Sequence, residues 1–232
     1  MTGWSDAGPP EGGATADRAA RWAGSQLRGW FPDPAFVGAA PIADHPLHPD
    51  EAAAVARAVP RRRMEFATGR WLSRRGLREL GLPDTAIAVG PLHNPVWPAA
   101  VTGTITHDGE VCAVALARRP ATAIAGIGID LVHLPRCERQ MRDLLPVFST
   151  GPGELEAAAA FGLPVTPEVV LFSLKESVIK AISARIGDFI DPRAIDIRWR
   201  QGIVCRHAGG RLNVRMHAAA GLGYAVTAAL IA

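Results

Sequence analysis

The sequence predicts an α+β fold of two similar halves, and three observations carry that expectation. Segments with helical apolar spacing are followed by short runs rich in Val, Ile and Thr that are bounded by Pro, Gly and Asp. That order, helix first and strands after, occurs twice, and the two occurrences meet near residues 118–125. The length of 232 residues, 48% of them hydrophobic, suffices for one large core or two small ones in close contact.

Residues 1–15 are rich in Gly and Pro and read as a disordered leader, followed by an N-terminal half over 16–125 and a C-terminal half over 126–232. Trp22, Leu27, Trp30, Phe31 and Phe36 supply apolar anchors for a short helix and an extended crossing segment. Asp50 can cap a helix through Val59, and Pro60, at a first-turn position, opens a longer one that reaches Leu80 and is closed by Gly81. On that longer helix Met64, Ala67, Trp71 and Leu72 can face a core. Arg63, Arg70, Arg74 and Arg78 recur at helical spacing and read as a continuous cationic stripe, with only Glu65 and Glu79 on the helix to balance it. Strand-like runs follow at 87–89, 101–106, 111–116 and 124–129. The second half offers a helical segment at 154–161, a helix at 171–184, and strands at 195–199, 202–205, 212–216 and 224–231.

Composition excludes several classes. A net charge of +3 is too small for wholesale coating of nucleic acid. Three widely separated cysteines without CxxC spacing argue against a disulfide framework or a thiolate zinc site, and point to a reducing cytoplasm. Asp6, Glu11 and Asp17 break up the N-terminus as a signal peptide, and the longest apolar run, 218–232, is too short to span a bilayer. The histidines lack HExxH spacing, no Walker A sequence occurs, and the glycines around Ile127 do not open a helix.

The helix Leu171–Ala184, LFSLKESVIKAISA, holds the only two lysines, Lys175 and Lys180, in a chain whose other cationic side chains are all arginine. A site that wants a compact ammonium rather than a planar fork explains that exception. Lys175 falls within the apolar face, where an ammonium must snorkel out or meet an anion. Glu176 and Lys180, one turn apart, share the polar face. Two strand ends add acids: Thr104-Ile105-Thr106-His107-Asp108 runs into a turn, and Gly126-Ile127-Gly128-Ile129-Asp130 is an apolar strand ending in a carboxylate. Asp130 with Glu176 and two lysines describes hard oxygen ligands beside cations, a magnesium and phosphate site. His107, beside Thr104 and Thr106, can donate to phosphate oxygens.

Five ordered motifs, RRRMEFATGR (61–70), NPVWP (94–98), GTITH (103–107), GIGID (126–130) and FSLKESVIK (172–180), together resemble the 4'-phosphopantetheinyl transferases of the enterobactin-synthetase and surfactin-synthetase activating type. The resemblance spans residue 49 to the C-terminus. It implies two halves related by a pseudo-twofold axis, each a helix packed on a small antiparallel sheet, with coenzyme A and Mg²⁺ held between them. It further implies Asp130 and Glu176 as metal ligands, Lys175 and Lys180 near the coenzyme A phosphates, and Arg62, Arg70, Thr104 and His107 as coenzyme contacts. A carrier-protein serine would attack the β-phosphate, with Lys180 neutralising charge and Glu176 as its base. The chain departs from the pattern at Val132, where the family usually has a second acid, at His93 for an arginine, and at Thr104 for a serine. Asp108 is the expected replacement for the missing acid at Val132.

The partner implied is an acidic acyl- or peptidyl-carrier protein, met by the stripe or by Arg136, Arg139 and Arg142 after the GID strand. With both halves fused in one chain, a monomer is expected. Two other readings stand beside this one: an enzyme on the same scaffold turned to other chemistry on a carrier-bound or acyl-coenzyme substrate, and a non-catalytic basic binding protein.

Overall fold

The computed structural model describes residues 11–119, 124–200 and 202–232, without the side chains of residues 11, 12, 138 and 139. Arg139 of the second arginine set thus lies outside the described side chains. In the first half α1 (Glu11–Trp30) leads to β1 (Ala35–Pro41), α2 (Pro49–Ala52) and α3 (Pro60–Glu79), then β2 (Ala88–Val89), β3 (Pro95–Val96), β4 (Val101–Asp108) and β5 (Val111–Arg118). The second half has β6 (Gly126–His133), α4 (Leu134–Phe148), α5 (Pro152–Ala159), α6 (Pro167–Ile186), β7 (Ile195–Trp199), β8 (Ile203–His207), β9 (Gly210–Leu212), β10 (Val214–Gly221) and β11 (Tyr224–Ile231).

Several expectations change. Helix α1 begins at Glu11, inside the expected leader, because Ala16, Ala19, Ala20, Ala23 and Leu27 form a buried stripe at helical spacing. The helix expected from Asp50 to Val59 starts instead at Pro49, capped by His48 in a reciprocal box with Glu51. It is over by Val55, since Val59 must turn extended ahead of Pro60. Helix α4 was not foreseen, as Pro135 and Pro146 obscure its periodicity, although a proline in the first turn suits a helix start.

The repeat is more complete than helix-then-strands. One sheet has the order β1-β5-β4 and another the order β10-β11-β6. In each, the leading strand of the half pairs with the last, which pairs with the one before it. Sequence patterning read β1 only as an extended crossing segment and counted the start of β6, at 124–129, with the strands of the first half.

The edges β4 and β6 meet in a seam made of side chains. Ile129 N donates to Thr104 Oγ1 at 3.3 Å, Leu131 N to Thr106 Oγ1 at 3.1 Å, and His133 N to Asp108 Oδ2 at 2.7 Å. Steps of two on both strands mean that they run side by side in the same direction, with hydroxyls and a carboxylate satisfying amides that a ladder would otherwise take. Alternation then sorts the strands into layers. Val111, Ala113, Ala115, Ile127, Ile129, Leu131, Val226 and Ala228 share a core with α1, whereas Val114 and Leu116 pack with the α3 residues Leu72 and Leu77, and Ala225 and Ala229 with Leu174 and Val178 of α6.

Helix α6 lies directly on β6. A Cβ at Gly126 would sit 2.1 Å from Ala181 O, and one at Gly128 only 1.8 Å from Ser177 O. Both glycines are there for that approach.

Each half also buries a glutamate that ties its short helix to its long one. Glu51 accepts from Arg74 of α3, His48 N (3.0 Å) and Ile87 N (3.0 Å). Glu154 accepts from Lys175 of α6 (2.7 Å), Thr150 N (2.7 Å) and Ile197 N (3.2 Å).

Gly128→Ala should lower the unfolding free energy by about 1–3 kcal/mol in urea denaturation, because the helix cannot yield its backbone carbonyl. Gly29→Ala, in α1 with nothing within 4 Å of the added carbon, should be neutral or stabilising. Equal stability of Gly128→Ala and wild type would contradict the close approach.

Candidate active site

Asp130 sits on the α6 face of β6, 6% exposed. Its Oδ1 accepts from Lys180 Nζ at 2.6 Å and Thr106 Oγ1 at 3.2 Å, and its Oδ2 from Ser173 Oγ at 2.9 Å. Lys180 Nζ also donates to Ile129 O at 3.2 Å. The carboxylate is therefore held from α6 and from β4 across the seam. Ser173, Glu176 and Lys180 recur at helical spacing on α6, which is why one helix can serve one strand residue.

Glu176 faces a cleft of about 660 Å³ between the halves. Its carboxylate has no hydrogen-bond partner among the described residues, and burial pushes its pKa up, with Lys180 opposing and the Asp130 charge adding to the rise. The floor of the cleft is Thr104, Ile105, Glu176 and Lys180. Leu92, Asn94 and Trp97 form one wall, from the β2–β3 hairpin, and Phe189, Ile190 and Pro192 the other, from the segment after α6. The tip residue His93, with φ +57°, stands at the mouth, where the resemblance expected an arginine.

Beyond the floor, Arg62 Nη1 lies 2.9 Å from His107 Nε2, and Glu65 is 3.6 Å from Nδ1. Burial pushes the His107 pKa below its ordinary 6.5, Glu65 opposing and Arg62 and Lys180 deepening the shift. A neutral imidazole accepts from Arg62 in this arrangement.

The structure brings together Asp130, Glu176, Lys180 and Thr104, with Arg62 and His107 at the far end of β4. Three expected site residues are elsewhere. Lys175 is 1% exposed on the back of α6, where Nζ meets Glu154 and donates to Phe148 O (2.7 Å) and Pro192 O (3.1 Å). Being consecutive with Glu176, it cannot share its helix face. Arg70 is 5% exposed, donates from Nε to Ile87 O at 3.0 Å and lies over the Phe66 ring, and burial brings its pKa down to about 10. The cationic stripe is broken for the same reason: Arg70 and Arg74 turn inward, and Arg78 pairs with Asp84.

Asp108 does not join the other two acids. Its Oδ2 accepts from His133 N, and its Oδ1 from Gly109 N at 2.7 Å with Arg136 at 3.6 Å. It closes the seam and holds the start of α4. Among the described residues, no three His, Cys, Asp or Glu side chains are grouped to hold a metal ion. Val132, the position of the absent acid, is buried in the apolar core beneath α6.

Sequence reasoning missed Ser173 and Thr106 as partners of Asp130, and Glu154 as the partner of Lys175. Ser173 and Thr106 lie within motifs already singled out. Glu154 carried only the signal of an acid shortly after a helix-opening proline.

Residues 50–117 match the model of the 4'-phosphopantetheinyl transferase N-terminal domain, and residues 126–225 that of the 4'-phosphopantetheinyl transferase superfamily. Over 201 residues the chain is 36% identical to the 4'-phosphopantetheinyl transferase Svp of Streptomyces mobaraensis, which spans 80% of this chain and 79% of that one. It is 32% identical over 148 residues to enterobactin synthase component D of Escherichia coli (strain K12), across 63% of this chain and 68% of the relative. With the 4'-phosphopantetheinyl transferase PptT of Mycobacterium tuberculosis it shares 38% identity over 82 residues, 35% of each chain.

Two outcomes are expected. In histidine-detected NMR titrations His107 should titrate below 6.5, higher in Arg62→Gln and lower in Glu65→Gln; the reverse order would contradict the placement of the ring. Asp108→Ala should cost about 2–3 kcal/mol in urea denaturation through the lost charge-assisted bonds, without altering the divalent-ion affinity measured by calorimetry. A loss of ion affinity would restore Asp108 as a ligand.

Proposed function

The chain belongs to the 4'-phosphopantetheinyl transferase superfamily, and we propose that it transfers the 4'-phosphopantetheine arm of coenzyme A to a serine of an apo acyl- or peptidyl-carrier protein, releasing adenosine 3',5'-bisphosphate. The single observation that carries the residue-level reading is the meeting of Glu176 and Lys180 at the floor of an inter-half cleft, with the buried Asp130 bound to Lys180 directly beneath. Neither redirected chemistry nor purely basic binding is favoured, since an unpartnered carboxylate beside an ammonium suits a reacting serine and a diphosphate together.

Mg²⁺ fits the donor chemistry of this floor. Two carboxylates lie close enough for each to feel the other's charge, and Glu176 has no counter-partner. Magnesium commonly takes one or two protein carboxylates and fills its shell with phosphate oxygens and water. Asp130 and Glu176 would hold it. Bound there, it would supply charge neutralisation to the diphosphate.

The chain's own groups account for the rest. Lys180 uses two of its three N–H bonds on Asp130 and Ile129 O, leaving one for a diphosphate oxygen. Because Asp130 and the strand carbonyl hold it, its charge is preorganised for the negative charge that develops on the diphosphate. Glu176, with its proton affinity raised by burial, accepts the serine proton as the oxygen attacks the β-phosphorus. A new P–O bond to serine forms, and the bond from the β-phosphorus to the bridging oxygen breaks. That oxygen leaves with adenosine 3',5'-bisphosphate. Arg62, held at 2.9 Å by the neutral His107 ring, extends the positive potential along β4 towards the outer phosphates.

With Arg70 and Arg74 turned inward, the exposed positive charge for an acidic carrier is Arg63 on α3 and Arg136 and Arg142 on α4. A monomer is the simplest assembly, since each half already meets its counterpart within the chain. Among the described residues no helix is long and apolar enough to cross a membrane, which is compatible with work in the cytoplasm.

Intact-mass spectrometry of apo carrier domains incubated with the protein and coenzyme A tests the reading. One phosphopantetheine should be added with Mg²⁺ and none with EDTA. Glu176→Ala and Lys180→Ala should each slow transfer by about 100-fold or more. No addition to any carrier by wild-type protein would overturn the proposal.

A further inference from the structure

We propose that Lys175 and Arg74 are positioning residues, each fixing the wall of the cleft that its own half contributes through a buried ion pair at the root of that wall. The inference deepens the coenzyme A reading of the cleft and rests on it.

The two pairs are built alike. In the C-terminal half, Lys175 reaches Glu154, Phe148 O and Pro192 O, while Glu154 holds Ser149 Oγ, Thr150 N and Ile197 N. Pro192 lines the cleft at the end of the segment that carries Phe189 and Ile190. Phe189 is 77% exposed, so this wall is not held by burial of its most projecting side chain. Its fixed points are Ile190, which is buried, and the Pro192 carbonyl.

In the N-terminal half, Glu51 holds Arg74, His48 N and Ile87 N, and Arg74 donates to Pro46 O at 2.7 Å. Ile87 O accepts from Arg70. Residue 87 is the last before β2, whose two-residue ladder with β3 supports the opposite wall. Leu92 and Val96 of that hairpin are exposed. Both walls are therefore short and poorly buried, and both are rooted in a glutamate with a cation from the long helix of the same half.

Stability alone is a weak reason to keep such pairs, since well-packed apolar residues usually serve a core as well. Their placement at the wall roots supplies a better one. Lys175 stands next to Glu176, about 100° away around α6, so the wall is held by the helix that presents the reacting carboxylate. Rigid walls set how well the coenzyme is held, whereas Glu176 and Lys180 set the chemistry.

The test separates binding from turnover. Lys175→Met should raise the calorimetric Kd for coenzyme A by about 10-fold, leave kcat at saturating coenzyme within about 3-fold, and speed hydrogen exchange at residues 186–191 but not 101–108. Lys175→Met/Glu154→Gln removes both charges, avoiding a buried unpaired carboxylate, and should give the same weakened binding and faster exchange. Arg74→Met/Glu51→Gln should do likewise at residues 88–97. A double variant with wild-type Kd and unchanged exchange would overturn the proposal, as would a Lys175→Met that loses kcat at unchanged Kd. Wild-type protein that binds no coenzyme A would instead overturn the reading of the cleft, and exchange without ligand would still decide whether the pairs hold the walls.

Discussion

The bare backbone contact of α6 on β6 is the constraint on which the rest of the site depends. Gly126 and Gly128 leave the helix carbonyls of Ala181 and Ser177 at a distance that no side chain would permit. A helix held that close places Ser173 and Lys180 within hydrogen-bonding reach of the next inward-facing strand residue, Asp130. Glu176 is then left at the cleft without a hydrogen-bond partner among the described residues, with only the charge of Lys180 opposing the rise in its proton affinity. Had the strand carried ordinary β-branched residues at 126 and 128, the helix would stand off, as helices on sheets commonly do, and the ammonium would lose its carboxylate. Two glycines in a strand cost some backbone entropy, and the gain is one geometry for three polar side chains.

The same strand meets the other half through its opposite requirement, the need to satisfy edge amides. Strand β6 pairs with β11 on one side, and on the other its amides at 129, 131 and 133 meet side chains of β4. Thr106 links the two requirements, because its hydroxyl accepts from Leu131 N and donates to Asp130. Each such bond is worth only about 1 kcal/mol net, yet an unsatisfied buried amide would cost more. The halves are thereby joined in one register, and the cleft above the seam has a defined floor.

Much of this was legible in the sequence, for identifiable reasons. The strand 224–231 and the strand 195–199 were read at their observed bounds because periodicity and turn residues agree there. Asp130, Glu176 and Lys180 stood out in the sequence because a carboxylate ending an apolar strand and a rare lysine on a polar helix face are both conspicuous, and the fold brings the three together. What failed was direction. Arg70 and Arg74 fall on a stripe by spacing, but spacing cannot say which side of α3 meets the body of the half, and Glu51 and Ile87 O, distant in sequence, draw them in. Asp108 was misread in the same way: its place beside His107 suggested a site residue, while the amide it serves, at His133, lies 25 positions on.

The scarcity of lysine marks two sites of different kinds. At Lys180 a compact ammonium reaches a carboxylate and a strand carbonyl, and still has a hydrogen for the cleft. At Lys175 the same ammonium is enclosed by a carboxylate and two carbonyls, so all three hydrogens are used and none can reach a ligand. The first half solves the second problem with Arg74, whose longer fork spans Glu51 and Pro46 O. Rarity of a residue type thus located the positions where charge must be compact. It could not say which of them faces the substrate, because that depends on which side of one helix meets the cleft, and their five-residue spacing sets them about 140° apart around it.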